Sequence, residues 1–230
     1  MSKKVCLATG LFVNLCKRSV RIMKKTIQQL VEELRGFSTS ELCDGVGAGK
    51  YQTMNYHIRQ MVTDKKIVGP AYTVKTPIGI SGLVPDGILK IQKGEVMVIA
   101  GKGYCQGSYW GDHRSICASM KGVEGVVIDG AFRDLEGCRE AGMPIYARAV
   151  TPGSAGKEAL GELNVPVMCG GVMVCPGDII VADCNGVLVL KPEEAEGVMD
   201  RARKKIQAEE ETIRRMKETG EILPRVIMKK

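Results

Sequence analysis

Two short stretches hold residue types that could act on a small anion. The first is Gly111-Asp112-His113-Arg114, within YWGDHRS (109–115); the second is Arg133-Asp134, within DGAFRDLEG (129–137). Glycine lets a backbone approach a ligand closely, and the first amides of a helix have no internal partners. A helix start of this kind is a ready carboxylate or phosphate site. Arginine binds a carboxylate through two parallel hydrogen bonds. One aspartate with waters, completed by substrate oxygens, is the sparse coordination that Mg²⁺ tolerates. Together these groups suit a 2-oxo acid. Each also has an ordinary reading, with Asp112 and Asp134 as helix N-caps and Arg133-Asp134 as a solvated ion pair. The residues alone leave both open.

The elements that must position them can be read from the hydrophobic pattern. The central stretch predicts a strand over 95–100, a glycine-rich loop over 101–111 and a helix over 112–121. A strand over 125–129, a turn over 130–133, a helix over 134–141 and a strand over 144–148 follow. This alternation favours parallel strands with right-handed crossovers. The loops at 101–114 and 130–134 then leave the same sheet edge, where open α/β sheets bind ligands. Elsewhere, KTIQQLVEELRG (25–36) predicts a helix with Ile27, Leu30, Val31 and Leu34 on one face. STSELCDGVG opens a second helix capped by Ser38 or Thr39, with an acid near the third position. A strand over 66–76, a hairpin turning at Asn185-Gly186 and a charged helix from Lys191 to about Glu221 complete the outline. No low-complexity linker divides the chain.

Other motifs fail on inspection. GVGAGKY (45–51) nearly matches a phosphate-binding P-loop, but Asp44 and Tyr51 occupy positions that need Gly and Ser or Thr, and no strand precedes it. GKGYCQ (101–106) lacks the third glycine of a dinucleotide fingerprint. A methyltransferase reading is disfavoured, because no glycine-rich nucleotide loop remains. His57 and His113 are too few and too far apart for a histidine metal site, and no spacing supports Ser-His-Asp or Cys-His catalysis.

Composition narrows the class. At 230 residues, 44% apolar and 26% charged, the chain suits one globular α/β domain. The net charge of +7 is confined to residues 1–25, which hold seven basic residues and no acid, so the remainder is formally neutral. A neutral body gives no electrostatic footprint for nucleic acid. Nine scattered cysteines without a CxxC pair point to a reduced, cytoplasmic protein rather than a disulfide scaffold or zinc site. The apolar run in the leader is too short to span a membrane and lacks a small-residue cleavage site. An upstream start, with Met23 opening the folded part, is preferred to a targeting segment.

The segment WGDHRSICASMKGVEGVVIDGAFRDLEGCREAGMPIYAR, with PGDIIVADCNGVLVLKPEEAEGV, resembles the RraA-like family over roughly residues 25–222. That family includes 4-hydroxy-4-methyl-2-oxoglutarate aldolases with oxaloacetate decarboxylase activity and the ribonuclease E regulator RraA. The resemblance implies a single swivelling β/β/α domain over 25–222, with a basic leader (1–24) outside it and a short tail (223–230). It implies homotrimers or hexamers with sites between subunits, acting on a small 2-oxo acid and binding neither nucleic acid nor membrane. Gly111, Asp112, His113 and Arg114 would hold the pyruvyl part, Arg133 the carboxylate or keto oxygen, and Asp134 a Mg²⁺ or Mn²⁺ ion. Asp112 would serve as base, and Glu209 to Glu211 of a neighbouring subunit's last helix would join. The implied activity is a divalent-metal-dependent lyase releasing pyruvate; the alternative is a non-catalytic regulator that binds a ribonuclease or another protein. One departure stands out: where many members carry an acid three residues after the aspartate of the Arg-Asp pair, this chain has Gly137.

Overall fold

The computed structural model describes residues 25–228. The leader assigned to residues 1–24 lies outside them. Helix α1 (Ile27–Leu34) starts at a capping box formed by Thr26 and Gln29, and α2 (Thr39–Val46) at one formed by Ser38 and Glu41. Asp183 adds a second tie to α2, accepting from both the amide and the hydroxyl of Thr39.

Strands β1 (Gln52–Thr53), β2 (Arg59–Val62) and β3 (Ile67–Lys75) follow, then helix α3 (Val84–Lys90) and the long strand β4 (Val96–Ser108). Helix α4 (Asp112–Lys121), strand β5 (Gly125–Phe132), helix α5 (Leu135–Glu140) and strand β6 (Ile145–Val150) form the centre. Short strands β7 (Glu162–Leu163), β8 (Val167–Cys169) and β9 (Val172–Val174) lead to the hairpin of β10 (Ile179–Asp183) and β11 (Gly186–Leu190). Helix α6 (Pro192–Thr219) closes the chain. The tail beyond it folds back, the Ile227 amide donating to the Thr212 hydroxyl.

The main sheet runs β1-β11-β10-β3-β4-β5-β6-β2, with β7 added alongside β3. Strands β3, β4, β5 and β6 are mutually parallel, as the alternation predicts. Side chains alternate between faces at period two. Met97 and Ile99 of β4 join Val126 and Ile128 of β5 beneath α3, α4 and α5. Val96, Val98 and Val127 face the other way, into a core shared with the β8–β9 hairpin. A third core packs α1, α2 and α6 on β10 and β11. The mixed α/β architecture expected from the sequence is thus present.

One expectation changes. Residues 101–108 do not form a free loop, because β4 continues through them to Ser108 with register shifts against β5 after Ile99 and after Tyr104. Six cysteines among the described residues are free thiols. No described helix is long and apolar enough to cross a membrane.

Candidate active site

Strands β4 and β5 are neighbours, so the loops that leave them emerge side by side. Backbone pairing continues past the strands: the Tyr109 amide donates to Ala131 O (2.9 Å) and the Arg133 amide to Trp110 O (3.1 Å). This stitching puts the start of α4 against the Arg133-Asp134 pair. All six residues singled out from the sequence, Gly111 to Arg114 with Arg133 and Asp134, line one cavity of about 210 Å³.

Neither aspartate does the ordinary work of an N-cap. The N-cap of α4 is Gly111, in extended backbone, and Asp112 is the first helical residue. The Asp112 Oδ1 accepts from the adjacent His113 amide at 2.6 Å. Asp134 does precede α5, yet it makes no side-chain cap bond and its backbone is left-handed, at φ 57° and ψ 49°. Such a conformation stores roughly 1–3 kcal/mol in a non-glycine residue. Its carboxylate instead meets Arg133, with Oδ2 3.0 Å from Nε. Both side chains are about two-fifths exposed, and an ion pair of that kind contributes about 0–1 kcal/mol. The pair is therefore too weak to hold the strained backbone alone, and the surrounding fold must impose it.

Gly111 makes this approach feasible. A Cβ at that position would lie 2.8 Å from Asp134 Oδ2. Any side chain there would make the carboxylate shift from its present position.

The electrostatic balance favours anions. Arg114 is mostly buried; its guanidinium donates to Tyr109 O and sits 3.4 Å from both the carbonyl and the hydroxyl of Ser81. None of these partners is a carboxylate. Burial, and then the neighbouring Arg133 charge, pull its pKa below the usual arginine range. Arg133 also donates to Ser154 Oγ at 2.8 Å. With Lys157, three cations line the cavity against Asp112 and Asp134. A helix start without a side-chain cap adds a partial positive charge.

Sequence reasoning missed Ser81, Ser154 and Lys157. They arrive from distant segments through the isolated bridges Ile80↔Gly156 and Ser108↔Ser154. Nothing in TPGSAGK (151–157), which carries Ser154 and Lys157, names its destination. Glu209 to Glu211 lie on α6 and do not line this cavity.

The donor set can be weighed against the implied metal. The cavity presents two carboxylates, and no described group of three or more His, Cys, Asp or Glu gathers anywhere. Two hard oxygen donors beside open space fit a Mg²⁺- or Mn²⁺-like ion that keeps waters and takes substrate oxygens.

Comparison with known proteins gives the family. Residues 39–189 match the RraA-like family, described as Aldolase/RraA. An uncharacterized protein of Methanocaldococcus jannaschii is 37% identical over 195 residues, covering 84% of this chain and 91% of its own. The 4-hydroxy-4-methyl-2-oxoglutarate aldolase of Thermus thermophilus is 40% identical over 105 residues, 46% of this chain and 63% of its own. Among solved structures, Streptomyces coelicolor RraAS2, a member of the RNase ES inhibitor RraA protein family, superposes with a TM-score of 0.74. It is 29% identical, and the match spans 83% of this chain and all of that one.

Proposed function

Because the chain belongs to the RraA-like family, we propose that it is a divalent-metal-dependent lyase that cleaves a carbon–carbon bond of a 2-oxo acid and releases pyruvate. The observation that carries this reading is the backbone of Asp134: a strained residue that gives up its capping role to turn a carboxylate toward Gly111 and Arg133. Strain of this kind marks functional sites when the fold imposes it.

In this reading Arg133 and the first amides of α4 hold the substrate's 2-oxo carboxylate. The exposed Arg133-Asp134 pair opens at little cost, so an incoming carboxylate replaces one partner with another. Buried Arg114 supplies a fixed positive field where negative charge grows as the bond breaks. Preorganised charge of this sort is worth most in a site with little water. Asp112, directly or through water, takes the 4-hydroxyl proton in retro-aldol cleavage, and the electron pair of the broken bond becomes the pyruvate enolate. In decarboxylation carbon dioxide leaves, and the same enolate results. A proton delivered to the enolate carbon from water or Asp112 completes pyruvate. Asp134 is the residue that would hold a Mg²⁺ or Mn²⁺ ion, which supplies Lewis-acid stabilisation of that developing charge when bound.

The reading includes a homotrimer or hexamer in which a neighbouring subunit's last helix, with Glu209 to Glu211, meets the mouth of this cavity. Light scattering on the purified protein tests that part. The test of activity is pyruvate release from oxaloacetate and from 4-hydroxy-4-methyl-2-oxoglutarate, with Mg²⁺ and after chelation. Metal-dependent turnover is expected, and Asp134→Ala is expected to remove it.

A second reading is favoured by the likeness to RraAS2, a relative of a ribonuclease inhibitor. Under it the same fold occludes a protein partner and turns nothing over. Absence of turnover with either substrate, together with inhibition of a ribonuclease of that class, would establish the regulator instead.

A further inference from the structure

We propose that Ser115 is a positioning residue that fixes the distance between the two loops of the cavity through a single buried relay. Ser115 is fully buried in the first turns of α4. Its hydroxyl accepts from the Trp110 indole N–H at 2.8 Å. Its own proton has two acceptors in reach, Gly111 O at 3.1 Å and Cys138 Sγ at 3.4 Å. Cys138, buried in α5, continues the relay, its thiol donating to Arg133 O at 3.5 Å. Each group donates once: indole to hydroxyl, hydroxyl to carbonyl or thiol, and thiol to carbonyl.

The relay that runs through Cys138 joins Trp110, the neighbour of Gly111, to Arg133. Gly111 is the N-cap whose bare Cα admits the Asp134 carboxylate. Arg133 is the clamp itself. Ser115 and Cys138 do not line the cavity, so neither touches substrate. The β4–β5 pairing ends at Ser108 and Ala131, beyond which the Tyr109 amide to Ala131 O and Arg133 amide to Trp110 O bonds join the loops by backbone. The relay adds a tie between different atoms of Trp110 and Arg133, so side chains as well as backbone hold the two loops together. Small displacements are costly here, because a misplacement of about 1 Å in a positioning group can lower a rate by about 100-fold.

This inference rests on the lyase reading for its kinetic consequence, but not for its structural one. The test combines hydrogen–deuterium exchange, turnover of oxaloacetate with Mg²⁺, and emission of Trp110, the chain's single tryptophan. Ser115→Ala is expected to raise amide exchange in both 109–115 and 133–138 while leaving the β10–β11 hairpin unchanged. Trp110 emission should shift, and kcat should fall by about tenfold to 100-fold with thermal unfolding still cooperative. Cys138→Ala cuts only the second leg, so exchange should rise over 133–138 alone, and it carries the test if Ser115→Ala does not fold. Cys138→Ser keeps a donor and an acceptor, and should restore the protection. Increased exchange confined to the first turn of α4 in Ser115→Ala, or unchanged exchange over 133–138 in Cys138→Ala, would overturn the relay. If the wild-type protein releases no pyruvate, the lyase reading falls while the exchange data still decide the role of Ser115.

Discussion

Gly137 leaves the space that Asp112 fills. A Cβ at position 137 would lie 2.6 Å from the Asp112 Cβ and 3.1 Å from its Oδ2. Gly137 sits inside the short helix α5, where glycine costs roughly 0.5–1 kcal/mol relative to alanine. The gain from replacing it is smaller than the roughly 1–3 kcal/mol that overpacking a filled site costs. Gly137→Ala is therefore expected to lower thermal stability slightly, and to lower turnover more, by about tenfold or above as Asp112 is displaced. Gly137→Asp should be worse, since it adds a like charge beside Asp112. The acid that family resemblance leads one to expect at 137 has no room while Asp112 keeps this position. Differential scanning fluorimetry and steady-state pyruvate release read both effects; a Gly137→Asp variant with wild-type turnover would remove the argument.

Asp134 tests whether strain and activity are linked. Its left-handed backbone costs an L-residue about 1–2 kcal/mol but costs glycine little. The ion pair lost with its carboxylate is partly exposed and contributes about 0–1 kcal/mol. Asp134→Gly should accordingly leave thermal stability unchanged or higher while abolishing metal-dependent turnover. Stability gained at the expense of activity is the pattern of a site held under strain for function. A marked fall in unfolding temperature would show that the carboxylate has a structural role instead.

Much of this site was legible because its parts are local. GDHR and RD each sit beside an apolar run, and Val126 to Ile128 and Val96 to Ile99 announce the parallel strands that bring them together. What the hydrophobic pattern could not convey is conformation and long-range closure. Asp134 before a helix looks the same in sequence whether it caps or turns left-handed, and only the dihedral separates the two. Strand β4 persists through Gly101 to Ser108 although Lys102 and Gly103 both have positive φ, because pairing with β5 resumes after each irregularity. Strands β7, β8 and β9 are two or three residues long, below any readable periodicity. Ser81, Ser154 and Lys157 reach the cavity through contacts between segments more than seventy residues apart in one case.

Away from the site, Gly45 should be among the least replaceable glycines. A Cβ there would overlap the Val198 carbonyl oxygen of α6 and approach the Ala202 Cβ at 3.2 Å. The obstacle is backbone, which cannot swing aside as a flexible side chain can. The same contact is secured by Arg201 Nε donating to Gly45 O at 2.5 Å. Gly45→Ala should cost about 1–3 kcal/mol, despite its better helix propensity. At roughly 2–4 °C per kcal/mol for a chain of this size, the loss is resolvable by calorimetry. Turnover well below the unfolding temperature should stay at the wild-type level.

Under the lyase reading, Lys157 is expected to separate the two ends of a dicarboxylic substrate. Arg133 and the α4 start account for one carboxylate, leaving Lys157 as a third cation on the wall of the same cavity. Its side chain is exposed, so a charge-assisted hydrogen bond there falls at or below the lower end of the usual 1.5–3 kcal/mol. Lys157→Met keeps the stem and removes the charge. It should raise KM for oxaloacetate by about tenfold, since about 1.4 kcal/mol corresponds to a factor of ten. The inhibition constant of pyruvate, which has a single carboxylate, should change by less than about twofold on the same scale. Steady-state kinetics with pyruvate as product inhibitor distinguishes the cases. An equal loss for both acids would place Lys157 on the shared carboxylate, and no loss for either would leave it outside recognition.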